Sequence, residues 1–477
     1  MRRKTQYYFL KVLAITILTL YLSFATYEQE RMDLYLKVAV IGYLILGLYL
    51  LIMIWKGYQR NSPLILSPSW MFLFAYFLYF PWSGIDTFIF NRGFQLVSNQ
   101  EWVYLQMMFL SWTGILGFQI GYGKPVPKSL VRRDLLSDFS DQLNKFNLLP
   151  LTVSILVFIG VGGYFGNLII GGGFTYLFQN FLKWAVFLLF MVCLIHPNPL
   201  NVIVLVLIGS IFFALQWAEV TGNRSETLIP LLGIISLSNI FQYKKSKYPK
   251  SNLAFLLGTA VIILSVFVVA SQVRFHGEIN VLSLNSLYDF SFQYFNGFES
   301  SMIMLSSVPN KIDFLGGKTF FAALYQFIPS AIWPAKPLGY INADSWFTYL
   351  IMGIDPKQTL AIPPILAELY WNFGFWFVGV GMIFVGALFK CFDRLLYRTK
   401  NIFVLIFIAS ITSISLHFVR GPFGNYVTRV VYEFIPFVFV LLMFNFTQKR
   451  FSSKSPNSSQ SNLNYQKQIN SNVRTNH

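Results

Sequence analysis

The sequence predicts an all-α, polytopic integral membrane protein, and three observations predict it. Of the 477 residues, 55% are hydrophobic and only 12% charged, about half the charged fraction usual for a soluble domain. Apolar runs of roughly 18 to 22 residues recur from end to end, each long enough to cross about 30 Å of hydrocarbon as a helix. The basic residues gather in alternate loops, as membrane topology demands. A β-barrel is excluded, because its segments would be about ten residues long with strict alternation.

Hydropathy places about twelve spans, near residues 8–27, 34–55, 64–82, 102–122, 148–165, 179–195, 200–218, 227–243, 252–271, 370–390, 401–419 and 430–447. Arg2-Arg3-Lys4 resembles the n-region of a signal peptide, but the apolar run behind it is longer than an h-region, so an uncleaved span is expected. With the N-terminus inside, most of the 36 basic residues fall in cytoplasmic segments, among them Lys124 to Lys145, Lys244 to Lys250 and Lys390 to Lys400. Asp134, Asp138, Asp141 and Asp393 are the only acids on that side. Both termini are then cytoplasmic. The net charge of +17 is topogenic and lipid-facing, and no nucleic-acid partner is expected. Residues 1–450 read as one transmembrane domain. Within it, 272–369 is a large extracytoplasmic loop with short helices between the ninth and tenth spans. The Ser-, Asn- and Gln-rich stretch 451–477 reads as a disordered cytoplasmic tail.

Cys193 and Cys391 sit at cytoplasmic helix ends, where pairing is not expected. The four histidines are scattered and make no metal-ligand spacing. Gly171-Gly172-Gly173 follows no strand and precedes no Lys-Ser/Thr, so it is a turn and not a phosphate-binding loop.

The chemistry-bearing residues collect on the outer face. Arg224 lies in a short loop, Arg274 ends the ninth span, Glu368 and Tyr370 open the tenth, and Arg420 ends the eleventh. A guanidinium is a planar fork that grips phosphate oxygens bidentately, and a carboxylate beside it can take a proton from a hydroxyl. A lone arginine at a helix end is commonly a snorkelling anchor, and Arg92 and Arg429 are read that way. Arg224 stands apart because the turn Gly222-Asn223-Arg224-Ser225 needs no charge, and Arg420 because Gly421-Pro422 fixes the backbone after it. Glu368 also fits a plain helix N-terminal carboxylate behind Pro363-Pro364. Asn372 follows in the same segment. Lys336, His276, Glu299 and Asp344 are further members from the loop, and His417 reads as a polar group packed between helices. The span centres are nearly bare of charge, with Lys183 near a span end. That weighs against a transporter, whose ionisable groups collect at the bilayer midplane.

The segments Gly317-Lys318-Thr319-Phe320, Phe327-Ile328-Pro329, Trp333-Pro334-Ala335-Lys336-Pro337 and Glu368-Leu369-Tyr370-Trp371-Asn372-Phe373-Gly374, set in a late outer loop of a polytopic chain, resemble the O-antigen polymerases, the Wzy-type oligosaccharide repeat-unit polymerases. The motif-level likeness covers roughly residues 220–425. It implies the all-helical GT-C membrane fold and a metal-independent glycosyltransferase that needs no cofactor and no nucleotide sugar. Both substrates would be undecaprenyl-pyrophosphate-linked oligosaccharides, with a flippase and a chain-length regulator as partners. The implied roles are Glu368 as base, Arg224, Arg274 and Arg420 around the diphosphate, and Tyr370 and Asn372 shaping the site. The related O-antigen ligases carry a functional histidine in their outer loop; His276 is the residue available for that role, but its neighbours depart from the ligase pattern, and a ligase is the alternative that the resemblance leaves beside the polymerase.

Overall fold

Helices form where the apolar runs lie. A computed structural model describes residues 32–59, 66–90, 100–124, 136–170, 175–219, 224–245, 297–328, 332–333, 343–355 and 362–452. Every regular element among them is helical. The first half comprises α1 (Met32–Gln59), α2 (Pro68–Phe77), α3 (Ser83–Phe90), α4 (Gln100–Tyr122), α5 (Leu136–Asn144), α6 (Leu149–Ile170), α7 (Thr175–Ile195), α8 (Pro199–Glu219) and α9 (Arg224–Lys245). Three short helices follow from the large loop: α10 (Gly297–Ser307), α11 (Lys318–Gln326) and α12 (Ala343–Trp346). The last are α13 (Ile365–Phe373), α14 (Phe375–Arg398), α15 (Ile402–Arg420) and α16 (Phe423–Ser452). The expected spans at 8–27 and 252–271, and the tail beyond Ser452, lie outside the described residues. Among the described residues seven helices are long and apolar enough to cross a membrane, and α8 and α9 carry shorter apolar stretches.

Two boundaries differ from the hydropathy reading, each for a local reason. The run near 64–82 continues to Phe90 through a π-helical turn, Leu78–Trp82, that holds Pro81; a proline has no N–H to give the α-helical ladder, and the wider turn accommodates it. The expected span 370–390 is divided at Gly374, whose φ of 80° is open to glycine and costly for other residues. The piece before the break, α13, is not part of the long helix at all.

The bundle is held by close backbone contact. α4 and α14 run against each other through Gly117, Gly121, Gly379 and Gly386, and a Cβ on Gly386 would fall 2.0 Å from the Phe118 carbonyl oxygen. Lipid gives helices little hydrophobic reason to associate, so small residues that admit close packing carry such interfaces. α15 is the innermost helix, buried from Ile402 to Val419 at every residue but Val404. Its start is fixed by Asn401, whose side chain accepts the N–H groups of Phe403 and Val404. Leu200, Ile203, Val206 and Leu207 of α8 stay exposed, the outward face of a lipid-facing helix.

The two ends of the bundle carry different chemistry. At one end, the Gln142 side chain of α5 donates to the Lys400 carbonyl at 2.7 Å and accepts from the Ile402 N–H at 3.0 Å, and Ser140 meets His196 at 3.3 Å. α5, the turn 196–198 and the turn 399–401 therefore share one end, as the charge pattern requires. There Asp393 of α14 accepts the N–H and hydroxyl of Ser69 and the hydroxyl of Tyr122. It caps the start of α2, where orphan N–H groups favour an anion. The opposite end holds the α15–α16 turn and the short helices α10 to α13.

Candidate functional site

Pro363-Pro364 sets up α13, and Glu368 falls in its first turn. Its carboxyl group is fully buried. Oε2 accepts the backbone N–H of Phe423 at 2.6 Å, an orphan donor at the start of α16, so the positive end of that long helix faces the carboxylate. Oε1 is buried and accepts no hydrogen bond among the described residues. Burial pushes the carboxyl up from its ordinary 4.5 to about 7. The Phe423 N–H and the nearby Thr319 hydroxyl pull the other way, and the Asp344 carboxylate pushes up further. A carboxyl poised near neutrality can exchange a proton under working conditions.

The α15–α16 turn holds this carboxylate and a second one. Asn425, two residues past Phe423, donates its Nδ2 to Asp344 Oδ2 at 2.6 Å and accepts from Gln326 of α11 at 2.8 Å. The six residues 420–425, from the end of α15 through the turn into the first turn of α16, thus carry Arg420 and grip acids from two other segments of chain.

The two sequence segments closest to this point are bonded to each other. The N–H groups of Leu315 and Gly316 donate to the carbonyls of Trp371 and Asn372, satisfying the open C-terminal end of α13. The Gly317 N–H donates to Asn372 Oδ1 at 3.1 Å, and Asn372 Nδ2 donates to Thr319 and to the Glu368 carbonyl, each at 2.8 Å. Gly316 and Gly317 have φ of 57° and 90°, which that hairpin approach needs. Phe320 stacks on Phe373 and packs against Phe423. Tyr370 donates its hydroxyl to the Val308 carbonyl at 3.0 Å. Asn372 and Tyr370 therefore shape the framework around Glu368.

The remaining expected residues divide. Arg224 is the first residue of α9, which starts at this end of the bundle, but its side chain is outside the described residues, as are Arg274, His276 and Lys336. Glu299 lies in the first turn of α10, and burial raises its carboxyl. His417 is buried one turn before Arg420, its Nε2 without a hydrogen-bond partner among the described residues. Arg420 and Arg429 both lie close enough to act on it electrostatically.

Arg429 is the residue that sequence reasoning set aside. Its guanidinium lies over the Tyr176 ring of α7, 4.7 Å from the centroid, and Nη1 donates to the Tyr176 hydroxyl at 2.9 Å. Both interactions orient the fork. A signal existed in the sequence: Arg429 follows Arg420 by nine residues, within an apolar span and on the same side of it. Arg420, Arg429 and His417 thus bring two guanidinium groups and an imidazole to the end that holds Glu368 and Asp344.

No solved structure matches the chain. Both bonded segments, the α15–α16 turn and the Tyr176–Arg429 contact fall within residues 171–454, which match the family described as WzyE protein, O-antigen assembly polymerase; the chain belongs to that family.

Proposed function

We propose that the protein polymerises undecaprenyl-pyrophosphate-linked oligosaccharide repeat units into a surface polysaccharide, O-antigen, capsule or exopolysaccharide. The reaction takes place on the outer face of the bacterial cytoplasmic membrane. The chain crosses about twelve times in a GT-C-like arrangement, with both termini in the cytoplasm. The end holding Glu368 is the outer one. The basic end around Lys390, Arg394, Arg398 and Lys400 is the inner one, as the positive-inside rule requires.

In this reading Arg420 and Arg429, with Arg224 and Arg274, hold the donor's diphosphate. Glu368 takes the proton of the acceptor hydroxyl. The hydroxyl oxygen bonds to the anomeric carbon, the bond from that carbon to the phosphate oxygen breaks, and its electron pair leaves on undecaprenyl pyrophosphate. Fixed guanidinium groups stabilise the charge as it develops, so the chemistry is metal-independent. A flippase supplies the substrate and a chain-length regulator acts on the product.

The observation that carries this reading is the Glu368 carboxyl. It is buried, one oxygen is held by the Phe423 N–H and the other has no hydrogen-bond partner among the described residues, and its proton affinity lies near neutrality. The test is complementation of a polymerase-deficient strain, reading glycan ladders. Loss of ladders with Arg420→Ala, Arg429→Ala and Glu368→Gln, with each protein still in the membrane, supports the assignment. Wild-type ladders from all three reject it. Repeat units stranded on the inner leaflet of the deletion strain would point to a flippase instead.

A further inference from the structure

α7 and α16 carry a buried ion pair that the reaction above does not use. Lys183 lies in the apolar span Tyr176–Ile195 and Glu433 in Phe423–Thr447, and both are buried, 2% and 0% exposed. Lys183 Nζ donates to Glu433 Oε1, and the Trp184 indole N–H donates to Oε2 at 3.2 Å. Both carboxylate oxygens are therefore engaged from α7.

Stability does not account for such a pair. Removing two charges from water costs about what their attraction returns, and replacement by apolar side chains is often neutral or better. An ionisable group inside a span is a functional candidate by default. The spacing on α16 supplies the function. Arg429 and Glu433 are four residues apart, neighbours on one helix face. In a low-dielectric span an arginine and a glutamate at that spacing attract strongly, and pairing would cancel the guanidinium charge. α7 prevents it by sorting the two groups. Tyr176 holds the guanidinium at 4.7 Å from its ring centroid, and seven residues further, about 10 Å along the helix, Lys183 and Trp184 hold the carboxylate.

We propose that Lys183 is a positioning residue: by occupying Glu433 it keeps that carboxylate from capturing Arg429, so that the guanidinium stays directed to Tyr176 and to the end of the bundle where the diphosphate binds. This rests on the reading that Arg429 meets the diphosphate. Lys183 itself touches no substrate.

The test uses the full chain in detergent with undecaprenyl pyrophosphate as the probe, reading Kd. Lys183→Met exposes Arg429 to Glu433 and weakens binding by about tenfold or more, the worth of one charge-assisted hydrogen bond. Glu433→Gln has no carboxylate to compete, and Lys183→Met/Glu433→Gln has neither charge; both bind within about threefold of the parent. A simple structural pair predicts equal damage from either single change, and a direct role for Lys183 predicts a damaged double variant. Either pattern overturns the proposal, as does Lys183→Met binding like the parent. Where Lys183→Met fails to accumulate, Glu433→Gln still separates the proposal from a structural pair, damage there overturning it, and the double variant, which buries no charge, still tests a direct role for Lys183. Failure of the parent to bind, or parent-like binding by Arg429→Ala, would instead reject the diphosphate reading.

Discussion

Glu368 and Phe423 are joined by a 2.6 Å hydrogen bond across 55 residues of chain, carboxylate oxygen to helix N-terminal N–H. This contact has two readings with different consequences. As a clamp, it needs only an acceptor at position 368. As the anchor of a base, it needs a carboxylate. Glu368→Gln keeps an acceptor for the Phe423 N–H and removes the proton-accepting charge. The expected outcome is a folded protein, at parental abundance in the membrane, whose polymer output falls by about 100-fold or more. Gel ladders from a complemented deletion strain, with an immunoblot for protein amount, check it. For the parent, turnover of a lipid-linked repeat unit should fall as pH drops through about 7, because protonated Glu368 cannot accept the hydroxyl proton.

The same group makes stability depend on pH in a defined direction. Its folded-state carboxyl is raised from 4.5 to about 7. Between those values the folded protein binds more protons than the unfolded chain, so stability falls as pH rises through the window. The cost is fully present above pH 7 and absent below the unfolded value; it amounts to a few kcal/mol, on the order of 1.4 per pH unit of window. Glu368→Gln abolishes this dependence. Melting of the purified proteins at pH 5 and pH 8 is expected to show the variant gaining Tm over the parent chiefly at pH 8. A pH-independent difference between them would contradict the burial argument.

Asp344 is held by Asn425, two residues from the N–H that holds Glu368. Its negative charge adds to the rise of the Glu368 carboxyl, behind burial, which is the main cause. Asp344→Asn leaves an oxygen to accept from Asn425 and removes the charge. The acid limb of the pH–rate profile should then move to lower pH by a small amount, with turnover on the plateau retained. A limb that stays in place would mean that Asp344 serves the fold alone.

Much of the frame was legible in the sequence, because a membrane span is a local property. Apolar length and the loop charges suffice to place α4, α6, α7 and α15, and the expected loops do share an end through Gln142, Lys400 and His196. Glu368 was also legible as a carboxylate behind two prolines, a local pattern, and Asn372 entered with the family-like segment that holds it. The contacts that give them meaning are not local. Nothing near Asn372 announces that its side chain will hold Gly317 and Thr319. Glu433 escaped because hydropathy averages one acid into a long apolar window. A signal was present: Lys183 and Glu433 are the lone charges of opposite sign within Tyr176–Ile195 and, past Arg429, within Phe423–Thr447. Groups so costly to bury alone call for each other. The division at Gly374 was missed for the same averaging reason.

The helix pair beneath the site gives a control that separates packing from chemistry. Gly386 of α14 faces α4 so closely that a Cβ would lie 2.0 Å from the Phe118 carbonyl oxygen and 2.7 Å from the Tyr122 backbone nitrogen. Those are backbone atoms and cannot rotate aside, so Gly386→Ala must push α4 and α14 apart. Overpacking of this kind costs about 1–3 kcal/mol. α14 runs from the break after Glu368 to Asp393, so its displacement also disturbs the Asp393 contacts with Ser69 and Tyr122 at the far end. Gly209 of α8 has nothing within 4 Å of the equivalent position, and there the alanine's better helix propensity is worth up to about 1 kcal/mol. Melting followed by size-exclusion chromatography should show Gly386→Ala lowering the midpoint and Gly209→Ala leaving it equal or raised. Equal tolerance at both positions would mean that α4 and α14 are not in backbone contact, and that the position of α13 and Glu368 on top of them rests on something else.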